Sequence, residues 1–455
     1  MEMTIDLIIL IQMIIAAFAG TVLYTVIGII PGTDETSVLV PVTAVLVILG
    51  LAPLVILAFF IASIVTLNLT DSIPTALTAI PGGVMATPLV ESSQYLKEKG
   101  LTTSSIKKMT MGSLIGTLVA IPMALLVYLI VHLIQKWTGL DLEQTIKKYN
   151  NEIFFSGAII LSLLSKKKIV SLFSIIPFSI LILLARGDLI NTGVSISGTP
   201  FFLSITTGPL LASLVMLLLP KERKKETVIG NQEVIIEREK NENINVFQIL
   251  TGRELRVSII SSILASITFF LSPVGMTLLI GETVTNNIED EEEKALTKVA
   301  SMNAISNSSY LAGIMISLLV FKIPISPAAI GPGAIILDEA NDFINISFSN
   351  AMIAIIIGVI IALSITVYLT LRYASKMTEI VFKYISQESV LILLISLVFL
   401  LVFLDAGFLG VLIILVVGVI SGFLNKAGVT YGVQFMAFYA APLAPLVLKY
   451  IEVIF

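Results

Sequence analysis

The sequence predicts an all-α polytopic membrane protein of about 10–14 membrane segments, built as a two-fold internal repeat around broken-helix hairpins. Three observations lead there. First, 56% of the 455 residues are hydrophobic and 13% are charged, against roughly 25% charged in an ordinary soluble domain, and mean hydropathy is +1.03. A chain this apolar cannot clothe its surface in water, so a bilayer is its solvent, and only helices or closed barrels satisfy the backbone there. Second, apolar runs near the ~20 residues that cross a hydrocarbon core recur along the chain. Third, each half contains one long apolar region interrupted by prolines and glycines.

Composition also narrows the chemistry. There is no cysteine and a single histidine, His132, so disulfides, thiolate metal sites, multi-histidine metal sites and histidine triads fall away. No resident metal or cofactor is predicted. A net charge of −4 argues against nucleic acid as a partner.

Taken in order, the first element is Leu7 to Ile30. Its start, Met1 to Asp6, has neither a basic stretch nor a small-residue cleavage site, so it is expected to be a retained first helix rather than a signal peptide. Clean spans follow at Gly112 to Leu133, Phe201 to Leu219, Val257 to Leu271, Ala351 to Leu371, Val390 to Leu404, Phe408 to Leu424 and Val429 to Leu448. Ile153 to Leu164 and Ile169 to Ala185, split by Lys166 to Lys168, read as a tight helical hairpin, and Asp405 as a tight loop between two helices.

The segment Lys221 to Asn245 is the most polar in the chain. It divides the sequence into a first membrane half, residues 1–219, a cytoplasmic linker, 220–247, and a second membrane half, 248–455. Lysine and arginine concentrate in the linker (Lys221, Arg223, Lys224, Lys225, Arg238, Lys240), in Glu91 to Lys108 (Lys97, Lys99, Lys107, Lys108) and in Arg372 to Lys383 (Arg372, Lys376, Lys383). The positive-inside rule puts these loops, together with Lys166 to Lys168, on one shared cytoplasmic side. Gln135 to Asn151, with Lys136, Lys147 and Lys148, runs against that rule.

The interruptions carry the functional signal. Thr36 to Val90 is broken at Gly50, Pro53, Pro74 and Pro81, and Ser272 to Leu337 at Pro273, Pro324, Pro327 and Pro332. Pro31 and Pro81 lie 50 positions apart, Pro273 and Pro324 lie 51 apart. Such breaks free backbone groups, which at membrane depth must face protein or a watery cavity. Corresponding breaks in two halves mark substrate and ion sites in secondary transporters, although proline and glycine also serve packing in membrane helices. The turns expected to form the breaks are Pro31, Gly32, Pro81, Gly82, Pro273, Gly275 and Pro324.

Beside them lie two polar clusters, Asn68, Thr70, Asp71 and Ser72 in one half, and Asn303, Ser306, Asn307 and Ser309 in the other. Their oxygens suit a hard cation, with interhelical hydrogen bonding as the competing role. Asp71 carries the most weight, because an ionised acid in the bilayer costs roughly 2.5–3.5 kcal/mol and is usually functional or paired. The alternative is a water-exposed loop. Asp34 and Glu35 read at least as readily as caps of the following helix as coupling-ion ligands, Glu282 is a weaker candidate, and Glu289 to Glu293 reads as a solvated face. His132 and Trp137 read as an interfacial pair at a helix end. Asn68 and Thr70 fit a glycosylation pattern whose apolar setting argues against use.

These stretches resemble the large permease subunit of tripartite tricarboxylate transporters, the TctA-type family. The matches are Ile30-Pro31-Gly32, Ile80-Pro81-Gly82 and Thr87 to Gly100 in the first half. In the second they are Glu289 to Lys294, Asn303 to Asn307, Ile323-Pro324 and Pro332-Gly333. The chain departs from the pattern at Thr33-Asp34-Glu35, at Val274, and in separating Asn303 from Asn307. The resemblance implies a permease that works with a small membrane subunit and an extracytoplasmic binding protein.

Three functions are compatible with these readings. The leading one is a secondary transporter for a small organic anion such as a carboxylate, coupled to Na⁺ or H⁺. The second is a translocase for a polyprenyl-phosphate or other lipid carrier. The third is an intramembrane hydrolase using a serine of Ser306 to Ser309, for which no general base is evident. Membrane lipid and a small-molecule anion are the partners expected, with no nucleic acid.

Overall fold

In the computed structural model the described residues are 5–30, 35–78, 82–165, 167–187, 198–217, 246–271, 273–330, 333, 335–336, 343, 346–384, 387–446 and 449. Pro31, Gly32, Asp34, Pro81, Pro332 and the basic residues of the linker lie outside them. The described chain is helical, and eight of its helices are long and apolar enough to cross a membrane. The protein is a multi-pass membrane protein.

The first half contributes α1 (Leu7–Gly28), α2 (Glu35–Ile48), α3 (Pro53–Thr70), α4 (Ser72–Thr78), α5 (Val90–Glu98), α6 (Thr102–Thr138), α7 (Leu142–Lys148), α8 (Asn150–Leu164), α9 (Lys168–Arg186) and α10 (Thr199–Leu217). The second contributes α11 (Gly252–Ile267), α12 (Pro273–Thr285), α13 (Glu291–Ile316), α14 (Pro327–Ile330), α15 (Phe348–Tyr384), α16 (Gln387–Ile413), α17 (Val419–Lys426) and α18 (Tyr431–Tyr439).

Local chemistry sets many of these limits. Asp6 caps α1 by accepting the Ile9 N–H at 2.8 Å. Proline opens α3 and α12, where its missing N–H costs nothing. Asp290 caps α13 through the Glu293 N–H at 2.7 Å, and three glutamates fill its first turn, the sign the helix dipole favours. The acidic run is therefore an exposed helix start. The hairpin of α8 and α9 forms as expected, and the break after Asp405 falls at Ala406 and Gly407, which leave the helical region within α16.

Two spans differ from expectation. Val429 to Leu448 is not one helix: α18 ends at Tyr439 and a short 3₁₀ turn, Ala441–Leu443, follows. Pro442 and Pro445 deny the helix its next donors, and nine residues reach only ~14 Å. Val257 to Leu271 is likewise curtailed, since α11 stops at Ile267 ahead of Pro273.

The two halves pack into each other. α6 lies along α13, α3 lies against α1 and α15, and α10 packs on α17. One apolar core gathers α1, α3, α13 and α15; a second gathers α8, α9, α10, α16 and α18. A smaller cluster joins Leu96, Ile106, Met109, Ala295, Val299, Ala374 and Val381. It brings the basic ends of α5, α6 and α15 to the same end of the molecule. Lys108 adds the linker's exit, donating to Glu254 Oε1 at 2.6 Å and to the Ile249 carbonyl at 3.3 Å.

The decisive feature is burial. Of the spanning windows, those within Pro53–Leu77 and Glu291–Phe321 are 94% buried, whereas those of α1 and α6 are 28% buried. The two central segments are shielded by protein, and both predicted polar clusters lie on them.

Candidate functional site

α3 breaks at Asp71. Pro74 has no N–H to offer the carbonyl four residues back, at Thr70, and its ring crowds that carbonyl. The chain resumes as α4 at Ser72. Thr75 stitches the break: its hydroxyl donates to the Asp71 carbonyl at 3.1 Å and accepts the Gly82 N–H at 3.0 Å. Gly82 rests directly on the Asp71 carbonyl, where a side chain would collide.

Around the break, Thr70 donates to the Thr66 carbonyl at 2.9 Å and approaches the Tyr24 carbonyl of α1 at 3.3 Å. Ser72 donates to the Leu69 carbonyl at 2.7 Å. These two hydroxyls tie down carbonyls near the break, and their lone pairs remain for a ligand. The Asn68 side-chain oxygen has no hydrogen-bond partner among the described residues.

The second cluster sits on α13, which runs unbroken through it. Asn303 donates to the Met109 carbonyl at 2.9 Å and to Ser113 Oγ at 2.8 Å. Asn307 donates to Ser113 Oγ and to the Asn303 carbonyl, both at 3.0 Å, and to the Asn68 carbonyl at 3.4 Å. Ser309 Oγ lacks a partner among the described residues. Ser306 is buried on the same helix. None of the eight predicted residues is more than 2% exposed.

The structure therefore brings the two clusters together through Asn307 and Asn68, but with different backbones. The first lies at a helix break. The second contributes side chains from a continuous helix, because no proline follows Ser309 until Pro324. The second break comes later, as a π-helical turn, Ser317–Phe321, followed by Lys322 in the left-handed region at φ 54°. Pro324 lies in the non-helical stretch after it, Pro273 starts α12, and Gly275 sits in that helix's first turn. Glu282 is exposed and paired with Lys298 at 2.6 Å.

Sequence reasoning missed Ser113 and Thr75. Ser113 accepts from both asparagines and lies between Gly112 and Gly116, a small-residue pair that lets membrane helices approach closely. A Cβ on either glycine would strike the carbonyl of Ala300 or Ala304 of α13. That pattern was a readable signal for the α6–α13 seam.

Chemically, the site offers amide, hydroxyl and carbonyl oxygens and one carboxylate, screened from water and lipid. Among the described residues no three of His, Cys, Asp and Glu converge as transition-metal ligands would. The donor set suits an alkali cation or a proton.

A family model described as Tripartite tricarboxylate transporter TctA family matches residues 14–434. No curated protein and no solved structure matches the chain.

Proposed function

We propose, from the premise that the chain belongs to the tripartite tricarboxylate transporter TctA family, that it is the permease that carries a small organic anion of carboxylate type across the membrane, coupled to Na⁺ or H⁺. The family is one of secondary transporters and not of enzymes, which sets aside the hydrolase, and the lipid-carrier translocase stays the second reading.

The observation that carries the finer reading is the buried junction of Asn68–Asp71 with Asn303–Asn307, closed by the Asn307 bond to the Asn68 carbonyl. In this reading Asn68, Thr70, Ser72, Ser306 and Ser309 supply oxygens to the coupling ion. Asp71 supplies the fixed charge that makes cation binding favourable, or itself carries the proton. Cation and anionic substrate then stabilise each other in a site of low dielectric. A small membrane subunit and an extracytoplasmic binding protein complete the assembly, as the tripartite family implies.

The test is a thermal-shift screen of the purified chain against carboxylates, with Na⁺ exchanged for choline and with pH varied. A carboxylate that stabilises the protein only with Na⁺, or only at low pH, supports the reading and names the ion. Stabilisation by no carboxylate under either condition overturns it.

A further inference from the structure

At the end of α6 remote from Lys108 the structure contains a second polar feature. A cavity of about 230 Å³ is lined by Tyr128, His132 and Gln135 of α6, Leu318 to Val320 and Lys322 after α13, and Ser347 with Phe348. Its floor is apolar, with Leu318, Leu319, Val320 and Phe343 all buried, and its rim is polar. Tyr128 stacks on Phe348 at 3.9 Å between centroids and on His132 at 6.3 Å, which fixes one wall. Among the described residues no aspartate or glutamate lines it. Lys322 has no ion-pair partner among the described residues.

Lys322 is also the described chain's non-glycine residue with positive φ, 54°, directly after a π-helical turn. Lys322 is the C-cap of that turn, where a left-handed residue is a common helix ending that costs a non-glycine residue roughly 1–2 kcal/mol. A lysine there also complements the C-terminal dipole of α13, but that role needs no cavity.

We propose that this cavity is an entrance site for a small carboxylate anion, with Lys322 as its charge partner and His132, Gln135 and Tyr128 as hydrogen-bonding groups. It is larger than the ~150 Å³ cavity that holds benzene, so a small di- or tricarboxylate fits. The proposal rests on the transport reading above and deepens it. Lys108 marks the end shared with the basic loops, and Gln135 stands 27 residues along the same helix, roughly 40 Å away. With the basic end cytoplasmic, the cavity opens to the outside, where an anion arrives.

The experiment uses the cysteine-free chain carrying Ser347→Cys, reconstituted in vesicles and labelled from outside with a membrane-impermeant maleimide. Citrate and succinate are the probes, and sulfate is the control. One of the carboxylates at ten times its dissociation constant should slow labelling about tenfold, and sulfate should not. Protection should vanish with Lys322→Gln, which removes the charge and keeps most of the stem, and with Lys322→Gly, which suits φ 54° and removes the whole side chain, and persist with Lys322→Arg. Equal labelling with and without carboxylate, equal protection by sulfate, or full protection in Lys322→Gly overturns the proposal. Labelling needs no transport. Absent protection in a chain that still takes up the anion overturns the entrance site alone, and protection without any uptake when the small membrane subunit and the binding protein are supplied overturns the transport reading alone.

Discussion

Asn307 donates its side-chain amide to the backbone carbonyl of Asn68 at 3.4 Å, joining a helix that breaks at Asp71 to one that does not. The same amide reaches Ser113 Oγ at 3.0 Å, so three helices meet at one side chain. The interruption supplies a carboxylate beside a proline-freed carbonyl, and the intact helix supplies a wall of amides and hydroxyls.

Asn307→Ala removes the bonds to Asn68, Ser113 and Asn303. Side-chain hydrogen bonds within membranes average ~0.6 kcal/mol, so a loss of about 1–2 kcal/mol is expected. Ser113→Ala should cost a similar amount. A double-mutant cycle by chemical denaturation should show a coupling of about 0.6 kcal/mol, because the two share one bond. Additive costs would show that Ser113 does not hold Asn307.

Gly116→Leu should be far more damaging. Its side chain would have to displace the Ala304 carbonyl, and overpacking of a tight seam costs about 1–3 kcal/mol or more. Loss of monodisperse protein on size-exclusion chromatography is the readout, with Gly139→Leu as a contrast: its Cβ would meet nothing, though φ is 71°. Normal behaviour of Gly116→Leu would mean that α6 and α13 are not closely packed.

Glu254 is 2% and Lys108 12% exposed in their ion pair. Glu254 also forms a capping box at the start of α11, accepting the Thr251 N–H at 2.8 Å. Breaking a buried pair costs about 3–5 kcal/mol, an upper figure for a pair this near the helix ends. Glu254→Gln should therefore lower thermal stability clearly. Lys108→Met with Glu254→Met should recover part of the loss by leaving no unpaired charge. A Glu254→Gln chain as stable as the parent would rule out a structural role for the pair.

The absence of cysteine makes orientation directly measurable. Lys97→Cys should resist a membrane-impermeant maleimide in intact cells and react after permeabilisation. Labelling of intact cells would invert the topology and place the Lys322 cavity on the cytoplasmic side.

Much of this was legible in the sequence. The apolar runs marked the spanning helices, and Pro74 marked the break at Asp71, because a missing N–H acts locally. Asn68, Asp71, Asn303 and Asn307 stood out as polar groups in apolar surroundings, where burial without partners is costly. Their meeting across 239 positions was not legible, since it depends on how α6, α3 and α13 pack. The unbroken course of α13 through Asn303 to Ser309 was obscured by polar residues that look like a loop but lie along one buried helix. His132 was read as an interfacial residue, and only the fold brings it beside Lys322, 190 positions away. The failure of Val429 to Leu448 as a span was available in Pro442 and Pro445 and was outweighed there by hydropathy.

The most direct test of the central claim is Asp71→Asn, which keeps the shape of the side chain and removes its charge. Carboxylate-dependent and ion-dependent thermal stabilisation would be measured on parent and variant, with uptake into proteoliposomes beside it. The account predicts that the variant folds and elutes like the parent, while its response to Na⁺ or to pH collapses by about tenfold or more in apparent affinity, the scale of ~1.4 kcal/mol. An Asp71→Asn chain with the ion dependence and uptake of the parent would contradict it and leave the break at Asp71 as a packing feature.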